Sequence, residues 1–151
     1  MRVTASVILC CEYLKRGNSL ANLPNMNAEE INIFSQIANS EADGPVLMIN
    51  LNKYVPEADY PKGKLYKDYM EVLDTLRAQV GARILWRTQV LGRVVGTQDI
   101  DEAIGIWYPN HQAFLDLMTA PASSENMRLR SLAVKHADLH RCAPEEPNMN
   151  W

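Results

Sequence analysis

Two carboxamides set two residues apart, Asn50 and Asn52, interrupt an apolar run that begins at Pro45 and ends at Tyr54. Burying an amide costs free energy unless it finds a hydrogen-bond partner. The pair therefore marks a polar spot inside an apolar cavity, or else a pair of ties to neighbouring backbone. An amide N–H can donate to a developing oxyanion without titrating, which makes Asn50 the leading catalytic candidate. The planar fork of Arg83 can clamp a carboxylate or an enolate; the competing reading is a solvated residue at a strand start. His136, Asp138 and His140 recur at spacing two, hence on one strand face. A carboxylate between two imidazoles can orient a general base, and His136 or His140 would then move a proton. The alternative is a solvated strand end. No third matched ligand accompanies them, so no metal is assigned.

Those side chains need elements to carry them. The run from Pro45 follows the turn signal Asp43-Gly44 and is too short for a helix, so it predicts a strand buried on both faces. Alternation sets Leu47, Ile49 and Leu51 on one face, expected under helices, and Val46, Met48, Asn50 and Asn52 on the other. Before it, Asn27 and Glu30 form a capping-box pattern for a helix with Ile33, Phe34, Ile37 and Ala38 on its apolar stripe. After it come two prolines in the stretch 56–63. Tyr66, Tyr69, Leu73, Leu76 and Val80 then step by three and four, a helix stopped by Gly81. Strands follow from Arg83 and from Ala103 to Tyr108, joined as a hairpin through the turn residues 96–99. Asn110 caps a helix through Phe114 and Leu117, Pro121 breaks it, and Ser123 to Ala133 makes another. Val134 to Cys142 is the last strand. Residues 1–26 are set apart as an extension holding a short strand or helix start and a polar connector, 27–142 as the domain, and 143–151 as a tail docked at most by Trp151.

Totals exclude several classes. The chain has 151 residues, 47% apolar and 22% charged, with a net charge of −3, which speaks against a nucleic-acid groove or an anionic-membrane surface. No apolar run reaches the roughly 20 residues of a membrane span. Cys10, Cys11 and Cys142 cannot all pair within the chain and lack metal-ligand spacing, which points to a reducing cytoplasm. No phosphate loop, nucleophile elbow or dinucleotide fingerprint is present. No cofactor is expected.

From Pro45 the order β-α-β-β-α-β predicts an α+β, ferredoxin-like fold with helices on one face of a four-stranded antiparallel sheet. The other face would carry Met48, Gly105 and Trp107, with Ile84 and Trp86, or Leu85 if the parity is reversed. It is too apolar for water, so a second copy is expected to cover it as a homodimer. Gly105 inside a strand suggests close approach by a ligand or another backbone, and Trp107 offers a flat wall beside it. Packing at the twofold seam is the competing role for Trp107. Tyr69 has a minor claim to the pocket beside its ordinary role as a tethered core tyrosine. His111, beside a helix start, is expected at the surface.

Gly44 to Tyr54, then Gly81 to Trp86, then Trp107-Tyr108-Pro109 with Ala113-Phe114, taken in this order, resemble the domain-of-unknown-function family DUF thirteen-thirty of the dimeric α/β-barrel superfamily. The likeness spans about residues 27–141. It implies a homodimer whose two sheets close into a barrel around a cavity, within a superfamily that includes cofactor-free oxygenases and lactone isomerases. Asn50, Lys53 and Arg83 fall on the family's motif positions; Ala82, Ile100, Trp107 and Leu129 depart from it. Two functions follow as expectations. One is a cofactor-independent isomerase, cyclase or oxygenase acting on a small aromatic or enolisable compound, with Asn50 and Arg83 stabilising negative charge. The other is a non-catalytic binding or structural dimer. Met48, Asn52, Tyr69, Gly105 and Trp107 would line the site in either case.

Overall fold

A computed structural model describes residues 25–144; the extension before Asn25 and the tail with Trp151 lie outside the described residues. Four strands, β1 (Val46–Tyr54), β2 (Arg83–Gln89), β3 (Glu102–Tyr108) and β4 (Val134–Cys142), form one sheet in the order β2-β3-β1-β4. Each neighbouring pair is antiparallel. Helices α1 (Ala28–Ala38), α2 (Lys64–Gln79), α3 (His111–Asp116) and α4 (Ser123–Ala133) complete the ferredoxin-like arrangement, with α1 as an addition ahead of it.

Local chemistry sets the helix ends. The Asn27 side chain accepts the Glu30 backbone N–H at 3.2 Å, and the Asn110 side chain accepts that of Ala113 at 2.8 Å. Gly81 follows α2 with φ +74°, a conformation glycine adopts without a Cβ penalty. The β2–β3 connection, residues 90–101, is longer than a tight hairpin turn, and it carries Leu91, Val94 and Val95 almost fully exposed. Its base is pinned: Asp101 N–H donates to the Asn52 carbonyl at 2.8 Å, and the Lys53 ammonium bridges Asp99 and Asp101 at 3.0 and 2.9 Å.

The helices cover one sheet face and enclose two separate apolar clusters. Phe34, Val46, Met48, Ile104, Ile106, Tyr108 and Phe114 belong to the first; Tyr54, Tyr66, Tyr69, Met70, Leu129 and Ala133 belong to the second. Correspondingly, α1 packs with α3 and α2 packs with α4.

The alternation of β1 is confirmed, but its orientation is the reverse of that expected. Val46, Met48, Asn52 and Tyr54 are buried under the helices, while Leu47, Ile49 and Leu51 lie on the uncovered face and are only half-buried. Met48 is thus a core residue of the first cluster and does not face the open side. In β2 the register shifts between Ile84 and Trp86, so Ile84 pairs with Ile106 on the helix face and Trp86 with Gly105 on the open face. The expectation that Ile84 and Trp86 share a face fails at this bulge. His111 is buried, not at the surface: it is 7% exposed and bonded to Asp43.

Candidate functional site

Between the two clusters the helix layer does not close on the sheet. A cavity of about 100 Å³ remains, walled by Leu73, Leu76, Ile104, Ile106, Phe114 and Leu117. Polar groups enter it from two sides. The sheet supplies Asn50 and Asn52, and the helices supply Tyr69 from α2 with Ser123, Asn126 and Arg130 from α4. A second hollow of about 210 Å³ runs between α1 and β4 and shares Phe114, Arg130 and Leu139 with the first.

The two amides of β1 are partly engaged. Asn50 donates from Nδ2 to the Met48 carbonyl at 3.3 Å, and Asn52 donates to the Tyr54 hydroxyl at 3.3 Å. Both contacts use one N–H and leave the amide oxygens for other partners. Tyr54 in turn donates to Glu102 Oε2 at 2.7 Å, and Tyr66 donates to Glu102 Oε1 at 2.9 Å. Glu102, 1% exposed, also pairs with Arg87 at 3.0 Å, while Arg87 reaches the Tyr66 hydroxyl as well. Burial, reinforced by the Glu102 carboxylate, pushes the Tyr54 and Tyr66 phenols far up. The Tyr60 phenol rises to about 12 from the same two causes. Burial opposes the charge on Arg87, yet Glu102 and the phenols hold it protonated. This network backs the Asn52 end of the cavity with neutral phenols and a fully paired carboxylate.

Tyr69 is deeply buried, which pushes its phenol up; the nearby Arg130 guanidinium opposes that shift. Asn126 is 5% exposed and its Nδ2 has no hydrogen-bond partner. Such a group costs free energy unless something in the cavity accepts from it.

The site residues expected from sequence fall on both sides of the sheet. Met48, Asn50, Asn52 and Tyr69 are on the helix side, and all but Met48 line the cavity between the clusters. Arg83, Gly105, Trp107, His136 and His140 are on the open face. There Arg83 stacks its guanidinium 4.5 Å over the Trp107 ring, and the Trp86 indole lies against Gly105. His136 and His140 are exposed, and Asp138 accepts from Gln98 at 2.6 Å. Asn50 and Arg83 therefore do not meet, and neither histidine reaches Asn50 through the sheet. No group of three His, Cys, Asp or Glu side chains able to hold a metal occurs among the described residues.

Four groups escaped the sequence reading. Ser123, Asn126 and Arg130 recur at spacing three and four along α4, which does signal a polar face, but helix-surface polarity has the same pattern. Glu102 gave no local signal at all, since its phenol partners are 36 and 48 residues away.

No protein-family model and no curated protein matches the chain. Among solved structures it is similar to the methylated RPA0582 protein, with 25% identity, TM-score 0.64, and 83% of this chain and 96% of that one covered. The RPA0582 protein of Rhodopseudomonas palustris, described as of unknown function, is similar at 24% identity and TM-score 0.65 over 83% of this chain and 98% of that one. A dabb family protein with a ferredoxin-like fold from Mesorhizobium loti aligns at 10% identity and TM-score 0.44, over 68% and 99% of the two chains. The class defined is an α+β domain of ferredoxin-like topology, shared with proteins whose own function is not described. No helix among the described residues is long and apolar enough to cross a membrane.

Proposed function

We propose that this protein is a homodimer that binds a small organic molecule in the cavity between sheet and helices. The observation that carries the reading is the gap between the two apolar clusters, entered by amides from both walls. A packed interior normally closes such a space. The separation of Asn50 from Arg83, His136 and His140 supports binding over turnover. An isomerase, cyclase or oxygenase would need a base at Asn50, and the two histidines lie beyond the sheet. Protein-observed NMR of 15N-labelled protein with a small-fragment library tests the cavity: hits should shift amides of α4 and of Asn50 and Asn52. Hits confined to the open face, or none, would reject it.

The dimer is supported by the uncovered face, where Trp86 is 40% exposed beside half-buried Leu47, Ile49, Leu51 and Trp107. A second copy of that face is its simplest cover. Native mass spectrometry of freshly purified protein reads subunit count and any retained molecule together, and Ile49→Glu should reduce a dimer to monomers. A wild-type monomer at micromolar concentration would reject this part. Membership of DUF thirteen-thirty belongs to the same proposal, supported by the motif residues Asn50, Lys53 and Arg83, and so does a cytoplasmic location, supported by cysteine usage.

A further inference from the structure

We propose that the cavity takes the carboxylate of a small organic acid with an apolar body, held by Arg130 and Asn126 of α4. The inference rests on the cavity being the ligand site and adds the ligand's chemical class.

Asn126 and Arg130 are four residues apart on α4, so they project from the same helix face one turn apart. Asn126 is buried with an unpartnered Nδ2. Arg130 borders both hollows, and among the described residues no carboxylate lies within ion-pairing distance of it. Arg77, Arg87, Arg128 and Arg141 each pair with an acid. Arg130 reaches the neutral Tyr69 hydroxyl, so among the described residues the guanidinium and the unused amide N–H form a donor set with no anionic acceptor. Tyr69 and Ser123, both lining the same cavity, add hydroxyl donors.

Charge and shape narrow the acceptor. One guanidinium with neutral donors compensates a single negative charge, which suits a carboxylate and not a phosphate dianion. Glu102 does not cancel that field, because Arg87 and two phenols already engage it. Apart from Asn50 and Asn52 on the sheet side, the remaining walls, including Leu73, Leu76, Ile106 and Phe114, are apolar, so the rest of the ligand is a compact hydrocarbon or an aromatic ring.

Benzoate, benzamide and toluene separate the possibilities when titrated against the full-length protein by ligand-detected NMR. Benzoate should bind at least about tenfold more tightly than benzamide, since only it makes a charge-assisted pair. Arg130→Gln should abolish that preference and leave toluene binding within about twofold. Asn126→Asp, nearly isosteric, should repel benzoate and spare toluene, and serves if Arg130→Gln does not fold by circular dichroism. Benzamide or toluene binding as tightly as benzoate would overturn the carboxylate assignment while leaving the cavity as a ligand site. Benzoate affinity unchanged in a folded variant would overturn it equally. Failure of all three probes to bind would reject the carboxylate and count against the cavity reading too.

Discussion

Trp86 lies flat against Gly105 across the β2–β3 pair, so close that a Cβ on Gly105 would sit 2.7 Å from the indole Nε1 and Cζ2 atoms. Real Cβ atoms essentially never approach that near. Gly105 is needed here for room, since its backbone is ordinary strand. Gly105→Ala should therefore displace the indole and destabilise the fold by about 1–3 kcal/mol, the cost of overpacking. Urea unfolding with tryptophan fluorescence checks both effects. Adding Trp86→Val should recover much of the loss, because the two residues share one contact.

Glu102 is the most consequential charged group in the interior. Glu102→Ala would leave Arg87 without its carboxylate and two buried phenols without an acceptor. A loss of about 3–5 kcal/mol is expected from breaking such a pair by removing one partner. Glu102→Leu with Arg87→Met, which removes both charges, should cost less than the single change. Equilibrium unfolding of the three variants decides between these outcomes.

The tyrosines make the alkaline limb of stability predictable. Tyr54, Tyr60 and Tyr66 are all pushed above their ordinary value, Tyr60 to about 12. The folded chain then holds phenolic protons that the unfolded chain loses near pH 10. Their contribution is complete below pH 10 and falls away as pH rises toward 12 and beyond. Ultraviolet titration should show tyrosinate absorbance from these residues appearing with unfolding, not at pH 10 in the native protein.

Asp43 fastens the start of α3. Its carboxylate accepts the backbone N–H groups of His111 and Gln112 at 2.8 and 3.3 Å and the His111 ring Nδ1 at 3.0 Å. Burial opposes the ionised form, but these three donors outweigh it and hold the carboxyl below its usual range. That contribution is present above about pH 4 and is lost as pH falls through the depressed value. Asp43→Ala should cost about 1–2 kcal/mol, as loss of a helix cap does. The variant should also lose less stability than wild type on acidification, as measured by thermal melts across pH 3–6.

Most of the element order was legible because each boundary has a local cause. Asn27, Gly81 and Asn110 mark helix ends by their own chemistry, and the four strands fall on the stretches expected for them, whereas α3, expected to run through Leu117 until Pro121, already stops at Asp116. What misled was orientation. Leu47, Ile49 and Leu51 form the more apolar stripe of β1, so they were expected under the helices. The structure instead buries Asn52 there, because Tyr54 takes up its amide, and opens a cavity beside Asn50. A single extra residue at the β2 bulge then separated Ile84 from Trp86. Burial of His111 and Glu102 depends on Asp43 and on Tyr54 and Tyr66, partners far along the chain, and spacing cannot reveal such pairs. For the site, the amides and Tyr69 were found while Asn126 and Arg130 were not, since a polar stripe on a helix ordinarily faces solvent.

The division of the interior into two clusters bears on mechanical behaviour as well. Empty space is eliminated on unfolding, so the native chain should occupy the larger volume, with a difference somewhere in the range of about 20–100 mL/mol. Hydrostatic pressure would then unfold it at lower kilobar values than a solidly packed variant. Filling the gap should stiffen the molecule: a bound guest would shift the pressure midpoint upward, a readout of occupancy that needs neither a chromophore nor a known reaction.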